Sequence, residues 1–345
     1  MSGALAVTAN DPVGDRPVAS ISLDMDDLWT YLRTHGDPAW ARHPTYLPLF
    51  VPRMLDALGE AGATITCFLV GADAARDEAA ALFRDVAARG HEIANHTYRH
   101  EVWIDRYAEA EVDEELDRSE AAILAATGRR PVGFRGPGFS WSGTLLGVLA
   151  RRGYRYDAST LPTFVGPLAR RYFLAAARLT PAEAAERGAL FGAFRDGFRP
   201  LGPYHWELGE GRRLLEIPVT TVPGVRTPFH LSYLLYLAAF SERLMYAYLR
   251  SALALCRLTG VEPSFLLHPP DLLGTGEAPG LEFFPGMHLP AARKRRLFVG
   301  ALRAIAEHFT LVPMAAHAER ARARAPRRAL SPARPPVRGA VSRAS

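Results

Sequence analysis

The feature that most constrains this chain is a regular alternation of short β-rich runs with amphipathic helical stretches. Strand candidates fall at 17–24, 63–70, 91–95, 132–135, 154–158, 214–218, 263–267 and 310–313. Helical periodicity fills the gaps at about 46–60, 74–89, 106–127, 143–153, 231–258 and 290–308. Strands alternating with helices of ten or more residues specify parallel βαβ units. Seven or eight such units predict a closed or nearly closed (β/α) barrel, with an open doubly wound sheet as the alternative. No Gly-x-Gly-x-x-Gly or Gly-xxxx-Gly-Lys element follows the first strand, which removes the main support for the open sheet. The alternation lapses between Leu161 and Arg213, where helical stretches mix with aromatic and Gly/Pro-rich sequence. That segment, about 161–213, is expected to be an insertion over one mouth of the barrel, where such segments shape pockets.

The charge is unevenly distributed. From Arg320 to Ser345 the chain has eight arginines and no acid, and without them 33 basic residues face 36 acidic ones. The basic character therefore belongs to a terminal arm rich in Ala, Arg and Pro, which lacks the apolar content to pack. The expected organisation is a flexible lead at 1–16, a barrel at 17–315 and a disordered Arg/Pro-rich tail at 316–345. The near-neutral body gives no reason to expect nucleic-acid binding. The arm, the apolar stretch Leu231 to Cys256 and Tyr172-Phe173-Leu174 beside Arg170-Arg171 are compatible with peripheral contact at a membrane surface. Residues 1–20 lack a basic start followed by an apolar stretch, and no run reaches the roughly 18 apolar residues of a spanning helix. A cytoplasmic location, at most peripheral to the inner membrane surface, is expected. Cys67 and Cys256 lie in apolar surroundings and read as buried reduced thiols.

Polar residues gather at the ends of the predicted strands, where barrels carry their chemistry. Asp24-Met25-Asp26-Asp27 closes the first, and alternation along a strand gives Asp24 and Asp26 a common face. His96-Thr97-Tyr98-Arg99-His100 follows the third and brings two imidazoles within reach of one ion. A divalent metal on Asp26, His96 and His100 would relieve the repulsion between the aspartates and leave coordination positions open. Without it, the acidic run is a solvated turn in which Asp27 caps the next segment. Arg135, ahead of the turn Gly136-Pro137-Gly138-Phe139, can clamp a carboxylate bidentately or form a structural ion pair. Asp157 ends the fifth strand and either contacts the site or caps a turn. His268, in Leu267-His268-Pro269-Pro270-Asp271, is a satisfied structural group or, if it faces the metal, a general acid.

In this order the elements resemble the polysaccharide deacetylase (NodB-homology) family of carbohydrate esterases. His96, Thr97 and His100 match its His-[Ser/Thr]-x-x-His motif, and Ser22-Leu23-Asp24-Met25-Asp26 matches its Thr-Phe-Asp-Asp motif loosely. Arg135-Gly136-Pro137-Gly138-Phe139 corresponds to Arg-x-Pro-Tyr, Leu267-His268 to the terminal Leu-His, and Cys67 to Gly71 to the second strand. The resemblance implies a distorted (β/α)₇ barrel that hydrolyses the N-acyl group of an amino sugar. It further implies that Asp26, His96 and His100 hold a metal, most often Zn²⁺, and that Asp24 is the base. Arg135 would orient Asp24, His268 would protonate the leaving amine, and Gly138, Phe139 and Asp157 would contact substrate. Asp27 remains an alternative ligand to Asp26. Glycine replaces the usual tyrosine after Arg-x-Pro, and no Asp-x-x-x-Trp segment is found to support His268.

These features lead to a metal-dependent deacylase of an N-acetylated or N-formylated amino sugar, free or lipid-linked. Two other readings share the scaffold. One is a hydrolase of a non-sugar amide or cyclic imide, and the other is a catalytically silent barrel that binds glycans or lipid headgroups.

Overall fold

The computed structural model describes residues 16–175, 177–324 and 329–330. All of the expected lead but Arg16, and most of the expected tail, lie outside the described residues. The strands are β1 (Val18–Asp24), β2 (Thr66–Leu69), β3 (Glu92–Asn95), β4 (Gly133–Phe134), β5 (Tyr156–Asp157), β6 (Tyr204–Glu207), β7 (Arg213–Glu216), β8 (Ser264–Leu267), β9 (Thr310–Val312) and β10 (Ala329–Leu330). The helices are α1 (Leu28–His35), α2 (Leu47–Ala61), α3 (Gly71–Ala74), α4 (Asp77–Ala88), α5 (Glu109–Thr127) and α6 (Gly143–Arg151). They continue with α7 (Gly166–Ala175), α8 (Pro181–Glu186), α9 (Leu231–Phe240), α10 (Glu242–Thr259), α11 (Ala291–His308) and α12 (Met314–Arg324).

All eight expected strands form. Seven of them run parallel in the order β7-β5-β4-β3-β2-β1-β8. First and last then approach each other, since the chain leaving β7 donates Thr220 N–H to Ser264 C=O of β8 at 3.0 Å. This is a distorted seven-stranded α/β barrel, stitched at one seam by few bonds. Neighbours follow chain order, which rules out the switch point of an open doubly wound sheet.

Alternation along β1 explains how one strand serves two cores. Ala19, Ile21 and Leu23 face the helical shell, packed with Leu55, Phe265 and Leu267, while Ser22 and Asp24 face inward onto Arg135. The interior holds Phe68, Ala94, Tyr156, Ala158, Leu215 and Ile217, and α12 closes it with Met314, Ala318 and Ala321. His317 of α12 is buried against Ser20, Nδ1 to Oγ 2.9 Å. This corrects the expected boundary at 315/316: residues 314–324 pack as a helix on the barrel. Alanines at 315, 316, 318 and 321 let α12 approach the sheet closely, and they hid it within an Ala/Arg-rich composition.

The expected insertion contains α7 and α8, but its last part is β6, paired antiparallel with β7. Phe173 of α7 meets His35 at 3.9 Å and Phe283 at 5.6 Å between ring centroids, and Phe191 packs with Val102, Trp103 and Leu190. These contacts draw the insertion across the barrel mouth. Cys67 and Cys256 are buried free thiols. No helix among the described residues is long and apolar enough to cross a membrane.

Candidate metal and hydrolytic centre

Two loops supply the core of the site. Asp26 follows β1, and its carbonyl accepts a hydrogen bond from the Tyr46 hydroxyl. The turn after β3 is built by side chains: Asn95 Oδ1 accepts from Thr97 N–H at 2.8 Å, and Thr97 Oγ1 from His100 N–H at 3.0 Å. Both Thr97 and His100 adopt positive φ, 67° and 52°, a conformation that costs non-glycine residues energy and persists where surrounding structure enforces it. The four-residue spacing suits a helical face or a turn, and the structure brings the imidazoles together through this turn.

Asp26 Oδ1 lies 3.2 Å from His96 Nε2 and 3.0 Å from His100 Nε2. The three donor atoms fall within 4.8 Å of one another, and all three residues are buried. Asp26 Oδ1 and His100 Nε2 have no hydrogen-bond partner outside this cluster, and buried polar atoms are rarely left that way. His96 Nδ1 lies 2.7 Å from the Arg135 carbonyl, so Nδ1–H donates and the Nε2 lone pair faces the cluster. One carboxylate and two imidazoles are a donor set that zinc and similar divalent ions accept. The residues therefore fit a metal. Burial alone would raise the Asp26 pKa, but His100 and His96 pull it well below the ordinary carboxylate value. Burial would lower His96, and Asp24 and Asp26 outweigh it and raise it.

Asp27 does something else. It caps α1, its Oδ1 accepting from Leu28 N–H at 2.8 Å and Tyr46 N–H at 3.0 Å.

Asp24 is clamped on one oxygen. Arg135 Nη1 donates to Asp24 Oδ1 at 2.5 Å, while Nη2 reaches Ser22 Oγ and Nε the Ala158 carbonyl, each at 3.0 Å. The guanidinium is buried and sits 4.3 Å over the Phe68 ring. Gly136 permits the tight turn after Arg135, because a Cβ there would run into the Ser140 carbonyl oxygen. Asp24 Oδ2 stands 4.0 Å from His96 Nε2 and 4.0 Å from His268 Nε2.

His268 is supported from positions that local sequence did not reveal. Ser232 of α9 donates to Asp271 Oδ1 at 2.8 Å and lies 3.3 Å from His268 Nδ1. Asp271 Oδ2 accepts the His268 backbone N–H at 2.9 Å. With its own proton on Asp271, the Ser232 hydroxyl can accept from Nδ1–H, which turns Nε2 toward Asp24. Burial raises the Asp271 pKa against the opposing pull of His268. His230, also unforeseen, packs 6.0 Å from His268 and is held well below the usual imidazole value by burial, then by His268 and Arg135.

The three residues expected to contact substrate sit in three different settings. Phe139 spends its N–H on the Gly136 carbonyl at 3.1 Å, and its ring packs with Leu161, Val219 and Leu266. Gly138, at φ 60°, accepts from Phe191 N–H at 3.0 Å, which ties the turn to the insertion. Asp157 is not brought to the cluster. Tyr156 and Ala158 face the interior, so Asp157 between them faces away. There it accepts from Ser159 Oγ at 2.5 Å, and burial and then Glu216 push its pKa well above the ordinary value.

Residues 15–156 match the family profile described as polysaccharide deacetylase. That segment carries Asp24, Asp26, His96, His100 and Arg135; His268 and the insertion lie beyond it. Chitooligosaccharide deacetylases from Bradyrhizobium sp. (strain ANU 289) and Sinorhizobium fredii (strain NBRC 101917 / NGR234) are each 33% identical, over 134 and 131 residues. Each match covers 36% of this chain, and this chain spans 59% and 60% of those relatives' lengths. A solved structure from Mycobacterium smegmatis, described as a polysaccharide deacetylase, superposes with a TM-score of 0.58 at 22% identity, covering 93% of this chain and 96% of its own. An allantoinase structure gives 0.53 at 17%, covering 92% and 96%. These last two likenesses concern the fold. Over residues 15–156 this chain is similar to the polysaccharide deacetylase family, and its fold is that of the two solved structures.

Proposed function

We propose that this chain is a metal-dependent hydrolase that cleaves the N-acyl amide of an amino sugar, with acetyl as the leading acyl group and formyl the second. The observation that carries this is the convergence of Asp26, His96 and His100, with the clamped Asp24 4.0 Å from both His96 and His268. A divalent ion, zinc by donor type, would polarise the amide carbonyl and acidify a water molecule. Asp24 Oδ2 then accepts the proton of the attacking water, because Arg135 occupies Oδ1 and leaves Oδ2 turned toward the site. His268 Nε2 gives a proton to the departing amine nitrogen, with Ser232 and Asp271 holding the far side of the ring. Proton transfer by placed groups of this kind contributes about 10²–10⁴-fold each. The Gly138 N–H is the remaining backbone candidate for steadying the oxyanion.

A lipid-linked sugar is a second form that the substrate can take. Leu168, Tyr172, Phe194 and Phe198 on the insertion are all exposed large hydrophobics, and Arg171 and Arg195 beside them are exposed too. Apolar and basic groups together suit the surface of an anionic bilayer, and with it a peripheral position on the inner face of the membrane. Flotation with anionic vesicles tests this; protein that stays at the bottom of the gradient removes the lipid reading.

The hydrolysis itself is tested by metal analysis and by acetate release from N-acetylated chitooligosaccharides. Wild type is expected to carry one metal per chain and to release acetate. The His96→Ala/His100→Ala double variant should lose both. A metal-loaded wild type that liberates neither acetate nor formate from any amino sugar would sink the proposal.

A further inference from the structure

Beside the two loops that carry the metal donors lies a second cavity of about 530 Å³, within the range of small-molecule sites. Its walls include Trp29, Arg33, Trp40, His43, Arg76 and Arg99. Trp29 is three residues past Asp26, and Arg99 lies between His96 and His100. An occupant would therefore rest against the same chain segments that hold the metal donors.

The lining has two kinds of surface. Aromatic rings form one: the exposed His43 ring lies 5.0 Å from the buried Trp29 and 6.3 Å from the half-buried Trp40, ring centre to ring centre. Guanidinium groups form the other, and they are not held alike. Arg33 stacks 4.9 Å over Trp40, pairs with Glu101 and donates to the Arg99 carbonyl at 2.9 Å. Arg99 is fixed by Glu115 at 2.9 Å and Glu114 at 3.0 Å. For Arg76 the nearest carboxylate oxygen is Asp73 Oδ1 at 3.7 Å, and that atom already accepts Trp29 Nε1–H at 2.8 Å. Arg76 also donates one long hydrogen bond, Nη1 to the His43 carbonyl at 3.5 Å, so of the three guanidinium groups it keeps the most donors for an occupant. Burial, then Arg76 and Arg33, lower the His43 pKa, which reports a positive field at the rim.

Guanidinium forks match the geometry of phosphate and carboxylate oxygens, and flat aromatic faces suit the apolar face of a sugar ring. We propose that this cavity binds the oxyanion of a charged saccharide, with a phosphate ester next to the sugar as the leading case and Arg76 as the principal contact. The inference rests on the proposed hydrolysis only in assigning a sugar to the occupant.

The test is titration of the full chain by tryptophan fluorescence. The probes are N-acetylglucosamine, N-acetylglucosamine 1-phosphate, inorganic phosphate and glucuronic acid. The phosphorylated sugar should bind at least about tenfold more tightly than the neutral one, a factor one charge-assisted hydrogen bond can supply. Arg76→Ala should erase that preference while leaving affinity for neutral sugar unchanged, and Arg76→Lys should restore part of it. Inorganic phosphate binding as tightly as the sugar phosphate would remove the sugar from the proposal, and glucuronic acid binding more tightly would replace phosphate by carboxylate. Equal affinity for neutral and phosphorylated sugar in the wild type overturns the proposal without recourse to any variant. So does a preference that survives in folded Arg76→Ala. Because no turnover is needed, phosphosugar binding without release of acetate or formate would overturn the hydrolysis alone, and the converse would overturn only the cavity.

Discussion

Three aspartates within four positions have three jobs, and their neighbours decide which. Asp24 is clamped by Arg135, Asp26 faces two imidazoles, and Asp27 accepts two backbone N–H groups at the start of α1. The corresponding substitutions should separate cleanly. Asp26→Ala is expected to abolish metal binding with the fold retained, as read by metal content and circular dichroism. Asp27→Ala should keep the metal and lose about 1 kcal/mol of stability as a lost helix cap, read by denaturant unfolding; loss of metal there would reverse the assignment. Asp24, Asp26, His96, His100, Arg135 and His268 were legible in the sequence because each sits at the end of a recognisable strand. Ser232 and His230 were not, because they reach His268 from another element, some 36 residues away in the chain. For Asp157 the sequence left two settings open, and parity decides its direction: its neighbours Tyr156 and Ala158 point inward, so it points out.

At the scale of elements, that outward face of β5 and β7 stores an uncomfortable pair. Asp157 lies opposite Glu216 in the ladder, and burial with this second carboxyl favours the protonated form of Asp157. A buried acid with a raised folded-state pKa binds its proton more tightly folded than unfolded. Stability therefore falls as pH rises from the unfolded value near 3.8 through the folded-state value. Asp157→Asn mimics the protonated form and should raise the urea midpoint at pH 8, with the gain shrinking as pH is lowered toward 4. A gain independent of pH would refute this account. The strands were readable from apolar runs bounded by turn residues. Helix α1 and strand β6 are short, and α12 is built from residues whose composition resembles a solvated arm, so periodicity gave them little signal.

Across the whole molecule, α12 acts as the floor of the barrel, filling it with Met314, Ala318 and Ala321 and anchoring to β1 through His317. Ending the chain at Pro313 should expose that interior and lower the thermal midpoint by several degrees, as losses of a few kcal/mol do in proteins of this size. An unchanged midpoint would show that α12 is dispensable. The site residues all ride on one unbroken ladder, from β8 through β1, β2 and β3 to β4. The thin seam between the chain after β7 and β8 lies elsewhere on the circumference. The Thr220 amide should accordingly exchange with solvent sooner than those of β1, measurable by hydrogen exchange.

That location has a bearing on how the proposed site can adapt. If the girth of the barrel gives anywhere, it gives where β7 and the inserted segment ahead of it meet β8, and the arc bearing Asp24, Asp26, His96, His100, Arg135 and His268 travels as one piece. The wall that greets incoming molecules is then free to be remodelled without detuning the residues gathered on that arc.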